Sequence, residues 1–206
     1  MTSGIDAGEF GAWLRQAREA LRGRGGSTVP CGDCTGCCTS SYSLEVRPSD
    51  AAVLERIPAK SLYRPLGSAP RNWTVRPNAD GTCPMLDCGR CSIYAQRPQT
   101  CLDYDCRVFA AAGIDAGGED KAVINRRVRQ WRFRFDSDAD LRAHAAIRAA
   151  AAFIRDEHQR FPPGIAPRNA LGIAALALRV YPVFLPPGPP GEPADIVRAI
   201  IEEPCT

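Results

Sequence analysis

The sequence predicts an α+β fold dominated by helices, in which a loop-rich, cysteine-cluster half with a small sheet is followed by a helical C-terminal half. Nine of the ten cysteines lie between Cys31 and Cys106, in a stretch rich in proline and glycine. Apolar residues at helical spacing dominate the chain after residue 138, and short alternating segments indicate strands. A length of 206 residues favours one domain over the whole chain, 1–206.

Four regions are predicted along this single domain. They are an N-terminal helix (1–26), a cysteine-cluster region (27–118), a region of strand and helices (119–185), and a Pro/Gly connector with a short terminal helix (186–206). The first helix is predicted from five apolar residues on one face, namely Phe10, Trp13, Leu14, Ala17 and Leu21. Asp6 with Glu9 has the spacing of a capping box, and glycines from Gly23 onward end the helix.

Short strands and helices are predicted between and after the cysteines. "SYSLEVR" (41–47), "NWTV" (72–75) and "QWRFRFD" (130–136) are strand-like, and a short helix is expected over 49–56. A loop is predicted for most of the stretch between Pro58 and Pro84, and one helical turn is predicted at "SIYAQR". Further helices are predicted over about 138–160 and 168–183, and around Ile196 and Ile200.

The compartment decides how the cysteines are interpreted. The first twenty residues lack the apolar stretch of a signal peptide, and the longest apolar span, 169–178, is far shorter than the roughly 20 residues that a membrane helix needs. We therefore expect a cytoplasmic protein that does not insert into membranes. Thiols stay reduced in the cytoplasm, so clustered cysteines favour metal ligation over disulfides.

The cysteine spacing is that of a metal site. Cys31, Cys34 and Cys37 are separated by two residues each, so one tight turn can direct successive sulfurs to one ion, and Cys38 follows directly. The second group consists of Cys83, Cys88, Cys91, Cys101 and Cys106. Zinc and iron-sulfur clusters both take such ligands. Spacing alone leaves open which thiols share a metal, and whether there is one centre or two.

The cysteine segments resemble a known family. "CGDCTGCC", "CPML" and "CSIYAQRPQTCLDYDC" are similar to the YkgJ-like or CxxCxxCC cysteine-cluster proteins, a zinc- or iron-chelating domain, over roughly residues 31–106. The resemblance implies eight metal ligands: Cys31, Cys34, Cys37, Cys38, Cys83, Cys91, Cys101 and Cys106. Cys88, a possible extra ligand, and Cys205, expected to be a free thiol on a terminal tail, lie outside the pattern. This sequence has Leu102 where the family commonly has arginine, and Tyr104 where the family commonly has phenylalanine.

Three functions follow from these observations. The first is a metal-binding protein whose zinc or iron is mainly structural, with Arg97 placed to offset the thiolate charge. The alternative is an iron-sulfur redox or protein-modifying enzyme, because a related cysteine segment in flagellin lysine methylases implies a 4Fe-4S cluster. The third is a nucleic-acid-binding module that uses the basic and aromatic run 121–135, but a solvated strand face is the favoured interpretation of that run.

The remaining candidates carry no predicted chemistry. His144 and His158 are expected on a helix, too far apart along its axis to bind one ion. The net charge of +3 does not indicate a nucleic-acid partner. The sequence thus indicates a metal ion as the partner, leaves any protein partner unknown, and leaves open whether the chain is an enzyme.

Overall fold

The computed structural model describes residues 4–67, 72–188 and 191–203, so Cys205 lies outside the described residues. The helices are α1 (Phe10–Leu21), α2 (Ala51–Leu54), α3 (Gln99–Asp103), α4 (Arg107–Ala112), α5 (Ala122–Gln130), α6 (Asp138–Asp156), α7 (Ala170–Val180) and α8 (Pro193–Glu202). The strands are β1 (Ile5–Glu9), β2 (Leu44–Val46), β3 (Leu62–Tyr63), β4 (Trp73–Val75), β5 (Leu86–Asp87), β6 (Arg90–Cys91) and β7 (Trp131–Arg134). The helix-dominated α+β prediction is confirmed. The single-domain assignment and its four regions stay a prediction.

The larger of two hydrophobic cores lies among the long helices. Its fully buried side chains include Phe10, Phe109, Ile147 and Leu178, which come from α1, α4, α6 and α7. Alanines at the contact between α6 and α7 are fully buried as well, and small side chains let helices approach closely. We call this the main core.

The N-terminal segment differs from its prediction. Residues 5–9 form β1, which pairs in parallel with β7, and α1 begins at Phe10. The predicted capping box of Asp6 and Glu9 is therefore wrong, because Asp6 lies in a strand. Glu9 is itself the N-cap, and its carboxylate accepts hydrogen bonds from the backbone N–H groups of Gly11 and Ala12. Leu21, predicted on the apolar face, is half exposed.

A second, smaller hydrophobic core lies under the cysteine-rich loops. The antiparallel sheet β2-β4-β3 contributes Val46 and Val75, and the loops around it contribute Ile57, Met85 and Ile93. The strands predicted at "SYSLEVR" and "NWTV" are thus present as β2 and β4. We call this the small core. Its secondary structure is short, so few regular backbone hydrogen bonds support it.

Three helices were not predicted, and the shortest of them is α3. α4 follows Cys106 directly and is buried on nearly all sides, and α5 occupies the first half of the basic run, with Ile124 and Val128 turned inward. The strand predicted over 130–136 is limited to β7. The basic run is therefore a helix followed by a strand, and it does not form one continuous strand face.

Candidate metal centre

The two cysteine segments meet in space. The Cys83 backbone N–H donates to the Cys38 carbonyl oxygen at 2.7 Å, and Ser27 N–H donates to the Leu102 carbonyl at 2.9 Å. These bonds fasten the first cysteine segment along the second, although more than 40 residues separate the cysteines. Sulfur atoms from both segments can therefore share a metal.

A compact turn presents the first segment. Cys34 N–H donates to the Cys31 carbonyl at 3.0 Å, and a 3-10 turn follows at Gly36–Thr39. Gly36 is buried against α5, where a Cβ atom would lie 3.2 Å from Ile124 Cγ1 and 3.5 Å from Cys34 Sγ. A side chain at this position would make an ordinary contact with Cys34 but would crowd Ile124, which would have to move by a few tenths of an ångström.

One set of thiols surrounds Cys37. Its side chain is exposed, yet the many protein atoms around it desolvate the thiol and raise its pKa, and Cys106, Cys31 and Cys34 raise it further. Burial also raises the pKa of Cys106 to about 12, and the indole N–H of Trp131 donates to its sulfur at 3.2 Å, which opposes that shift. We call Cys31, Cys34, Cys37 and Cys106 the first thiol set.

A second set surrounds Cys38. Hydrogen bonds with Cys83 and Cys91 are the main reason why the pKa of the Cys38 thiol is raised. The same bonds lower the pKa of Cys83 to about 7 and that of Cys91 to about 6. Burial, followed by the charges of Cys83 and Cys91, raises the pKa of Cys101 to about 12. We call Cys38, Cys83, Cys91 and Cys101 the second thiol set.

Cys88 stands apart from both sets. It lies with Gly89 in the two-residue turn between β5 and β6, and both residues have positive φ angles, 45° and 73°. Two successive positive φ values are typical of a type I′ hairpin turn. The Cys88 side chain is exposed at this turn, and Cys88 is not among the thiols that act on Cys37 or Cys38.

Each thiol set has an arginine nearby. Arg97, predicted from the sequence, donates to the Tyr94 carbonyl at 2.8 Å, and its charge favours the thiolate forms of Cys91 and Cys101. Arg127 on α5 was not predicted. It donates to the Cys31 carbonyl at 3.3 Å and interacts with the Cys34 thiol. The basic run was the available signal, but no helix was predicted over its first half, so nothing in the sequence analysis directed Arg127 to the cysteines.

A buried ion pair flanks Cys106 on both sides in sequence. Asp105 accepts hydrogen bonds from Arg107 Nη2 at 2.7 Å, Trp13 Nε1 at 2.9 Å and Ser27 Oγ at 2.5 Å. Arg107 also donates to the carbonyl of Ala7 at 3.1 Å. Since both charges are nearly fully paired inside the protein, this network fixes the backbone on either side of the Cys106 sulfur.

The donor chemistry fits a thiophilic metal. The nine cysteines in the described part of the chain are all free thiols, which sets aside disulfides there. Among residues 4–67, 72–188 and 191–203, no three His, Cys, Asp or Glu side chains already stand as a group that could hold an ion.

The histidines lie elsewhere. His144 packs against the rings of Phe10 and Phe135, with centroids 5.2 and 5.1 Å away, and His158 Nε2 is 3.1 Å from the Ala166 carbonyl oxygen. His144 lies on α6, as predicted, but the prediction is wrong for His158, which lies in the 3-10 turn His158–Arg160 after α6 has ended. Both positions suit structural roles in the helical half.

Comparison with known proteins gives one match. Residues 30–122 match the sequence model of the CxxCxxCC family, described as a "putative zinc- or iron-chelating domain". The resemblance is confirmed. The CxxCxxCC segment contains all eight predicted ligands together with Arg97, and it ends at the start of α5. No curated protein and no solved structure matches the chain. Within the described residues, no helix is long and apolar enough to cross a bilayer.

Proposed function

We propose that this protein binds zinc or iron through the eight thiolates of the two thiol sets, and that the bound metal stabilises the loop-rich half. The observation that carries the proposal is the convergence of residues 31–38 on residues 83–106, fastened by the bond from Cys83 N–H to the Cys38 carbonyl. Thiolates are the ligands that structural zinc and iron-sulfur centres prefer.

The electrostatics of the segment suit such a centre. Four thiolates around one divalent ion leave a net charge of about −2, which requires nearby cations or N–H donors. Arg97 and Arg127 supply positive charge, and the Gly36 backbone N–H lies 3.5 Å from Cys34 Sγ. The chain thus provides neutralising groups together with the ligands.

A structural role follows from the small core. Its strands are two or three residues long, so sheet hydrogen bonds contribute little to holding its loops. Metal-thiolate bonds would supply the missing cross-links, and in metal-dependent domains of this kind the binding free energy is also folding free energy.

The test is the metal content of protein purified without oxygen. Elemental analysis should find stoichiometric zinc or iron in the wild type and in the Cys88→Ser control. A variant with serine at Cys34, Cys37, Cys38 and Cys91 should lose the metal. Wild-type protein that binds neither zinc nor iron after anaerobic reconstitution would overturn the proposal.

A second candidate function is that of an iron-sulfur redox or protein-modifying enzyme. It is favoured by a cavity of about 1050 Å³ in the helical half, lined in part by Phe109, Trp131 and His144. The Trp131 indole lines this cavity and donates to the Cys106 sulfur, so it lies between the cavity and the first thiol set. A brown protein with labile sulfide and visible absorbance that bleaches on reduction supports this candidate, and a colourless zinc protein excludes it.

The nucleic-acid alternative ranks last. Lys121 and Arg127, at the start and middle of the basic run, are turned toward the cysteine segment, where they contact the carbonyls of Ser40 and Cys31. Arg129 is paired with Asp115 at 2.7 Å. The run therefore does not present one continuous basic surface.

A further inference from the structure

We propose that the eight cysteines form two separate metal centres of four thiolates each, and that the Cys37-Cys38 doublet is divided between them. The first centre would use Cys31, Cys34, Cys37 and Cys106, and the second Cys38, Cys83, Cys91 and Cys101. This inference rests on the proposed function, because it concerns how the same thiols are shared.

The backbone at the doublet separates the two sulfurs. Cys37 and Cys38 are successive residues of the 3-10 turn Gly36–Thr39. A 3-10 helix has three residues per turn, so neighbouring side chains point about 120° apart. The sulfurs of Cys37 and Cys38 therefore point in different directions and can bind different metal ions.

The two hydrophobic cores divide five of the eight cysteines in the same way. Cys106 is buried in the main core, and Cys31 packs against that core. Cys83 is buried in the small core, with Cys38 and Cys91 packed against it. This division comes from the packing alone and does not depend on any charge.

The neighbours of each thiol complete the assignment. Cys37 lies among Cys106, Cys31 and Cys34, and Cys106 in turn lies near Cys31 and Cys34. The backbone carbonyl of Cys38 accepts a hydrogen bond from Cys83 N–H at 2.7 Å, and the Cys38 thiol interacts with those of Cys83 and Cys91.

Cys101 is the remaining member. It lies on α3, and the hydrogen bond from Thr100 Oγ1 to the Glu45 carbonyl, 2.7 Å long, ties this helix to β2 of the small core. The charges of Cys83 and Cys91 act on the Cys101 thiol, and Cys101 acts more weakly on Cys37. We therefore place it in the second centre, near the boundary between the two.

Each centre would stabilise a different part of the molecule. The first would connect the turn at residues 31–37 to the start of α4 through Cys106, next to the Trp131 indole. The second would connect that turn to the β5-β6 hairpin and to α3, which carries Cys101. Loss of one centre should then leave the other region and its metal in place.

The experiment compares Cys37→Ser with Cys38→Ser, and Cys88→Ser is the matched control because Cys88 lies in neither set. After anaerobic reconstitution with zinc, we expect two ions per chain in the wild type and the control, and one in each test variant. The indole ¹H–¹⁵N resonance of Trp131 should shift on zinc binding to Cys38→Ser and not to Cys37→Ser. The indole resonance of Trp73, which packs against the small core, should shift on zinc binding to Cys37→Ser and not to Cys38→Ser.

Several outcomes distinguish the two proposals. One ion per wild-type chain, or loss of all metal from both test variants, would overturn the division into two centres while metal binding itself stands. Wild-type protein that binds no metal would overturn both. If either test variant fails to fold, Cys34→Ser and Cys91→Ser replace the pair, and the same two-to-one stoichiometry is expected.

Discussion

Asp105 and Arg107 show how single residues hold the second cysteine segment to the rest of the protein. Their ion pair is buried, with only 4% and 6% of the side-chain surfaces exposed, and it joins α1 through Trp13 to the residues around Cys106. The net benefit of a buried ion pair is small, but the removal of one partner leaves the other charge without compensation. The role of this pair is thus to fix geometry.

Substitution of Asp105 by asparagine tests this role. The variant should lose about 3 to 5 kcal/mol of unfolding free energy, because Arg107 would keep its charge in the interior without a carboxylate. Denaturant titration measures the loss, with Asp115→Asn as the control, since that residue forms an exposed pair with Arg129 and its variant should be nearly as stable as the wild type. Equal stability of both variants would contradict the prediction.

Arg97 allows a prediction about affinity. Replacement by methionine keeps much of the side-chain volume but removes the charge beside Cys91 and Cys101, and loss of such an outer partner typically lowers metal affinity by about 10-fold or more. Competition with a chromophoric chelator measures the change. Arg90→Met, on the exposed face of the hairpin strand β6, is the control and should bind like the wild type. A similar loss in the control would mean that the charge of Arg97 has no particular role.

At the level of elements, α6 joins the main core through an aromatic cluster. His144 on α6 packs between Phe10 of α1 and Phe135 after β7. Burial lowers the pKa of His144 from its ordinary value of 6.5, and the charge of Arg148 lowers it further, against a hydrogen bond with the Ala110 backbone. The folded protein therefore favours the neutral imidazole.

A pH dependence of stability follows from this shift. Because the folded pKa is lower than the unfolded one, the unfolded chain binds the proton more readily, and the free energy of unfolding should fall as pH drops below about 6.5. NMR titration of the imidazole should give a midpoint below that value. The difference in stability between wild type and His144→Gln should shrink toward low pH, and a constant difference from pH 5 to 8 would contradict the assignment.

The elements that the sequence predicted are those with local signals. α1, α6 and α8 have a clear apolar stripe, and β2 alternates between the two faces of its sheet. α4 was missed because "RVFAAA" is buried almost all round and has no polar face. β1 was missed because its strand conformation depends on pairing with distant β7.

The same distinction applies to the site. The identity of the eight candidate cysteines follows from spacing and resemblance, and Arg97 from its position beside them. Their division into two sets depends on tertiary neighbours, and for five of the eight on the core against which each thiol packs. Arg127 reaches Cys31 only because α5 crosses the first segment. Such information arises from the tertiary structure and has no local trace in the sequence.

For the whole molecule, the two cores predict unequal sensitivity to metal removal. Chelation under reducing conditions should loosen the small core, so that amides such as those of Val46 and Val75 lose protection from hydrogen exchange. The long helices pack in the main core and should keep most of the far-ultraviolet dichroism. If neither the far-ultraviolet circular dichroism nor the amide hydrogen exchange changes after complete chelation, a structural role for the metal is contradicted.

The pairing of β1 with β7 determines when the protein can be completed during synthesis. Asp6 and Arg134, which form an ion pair across these strands, lie 128 residues apart in the chain. The first strand must wait until the second has left the ribosome, and every cysteine from Cys31 to Cys106 emerges in between. The cysteines proposed as metal ligands therefore all leave the ribosome before β1 and β7 can pair, so the proposed metal uptake can precede the pairing of these strands.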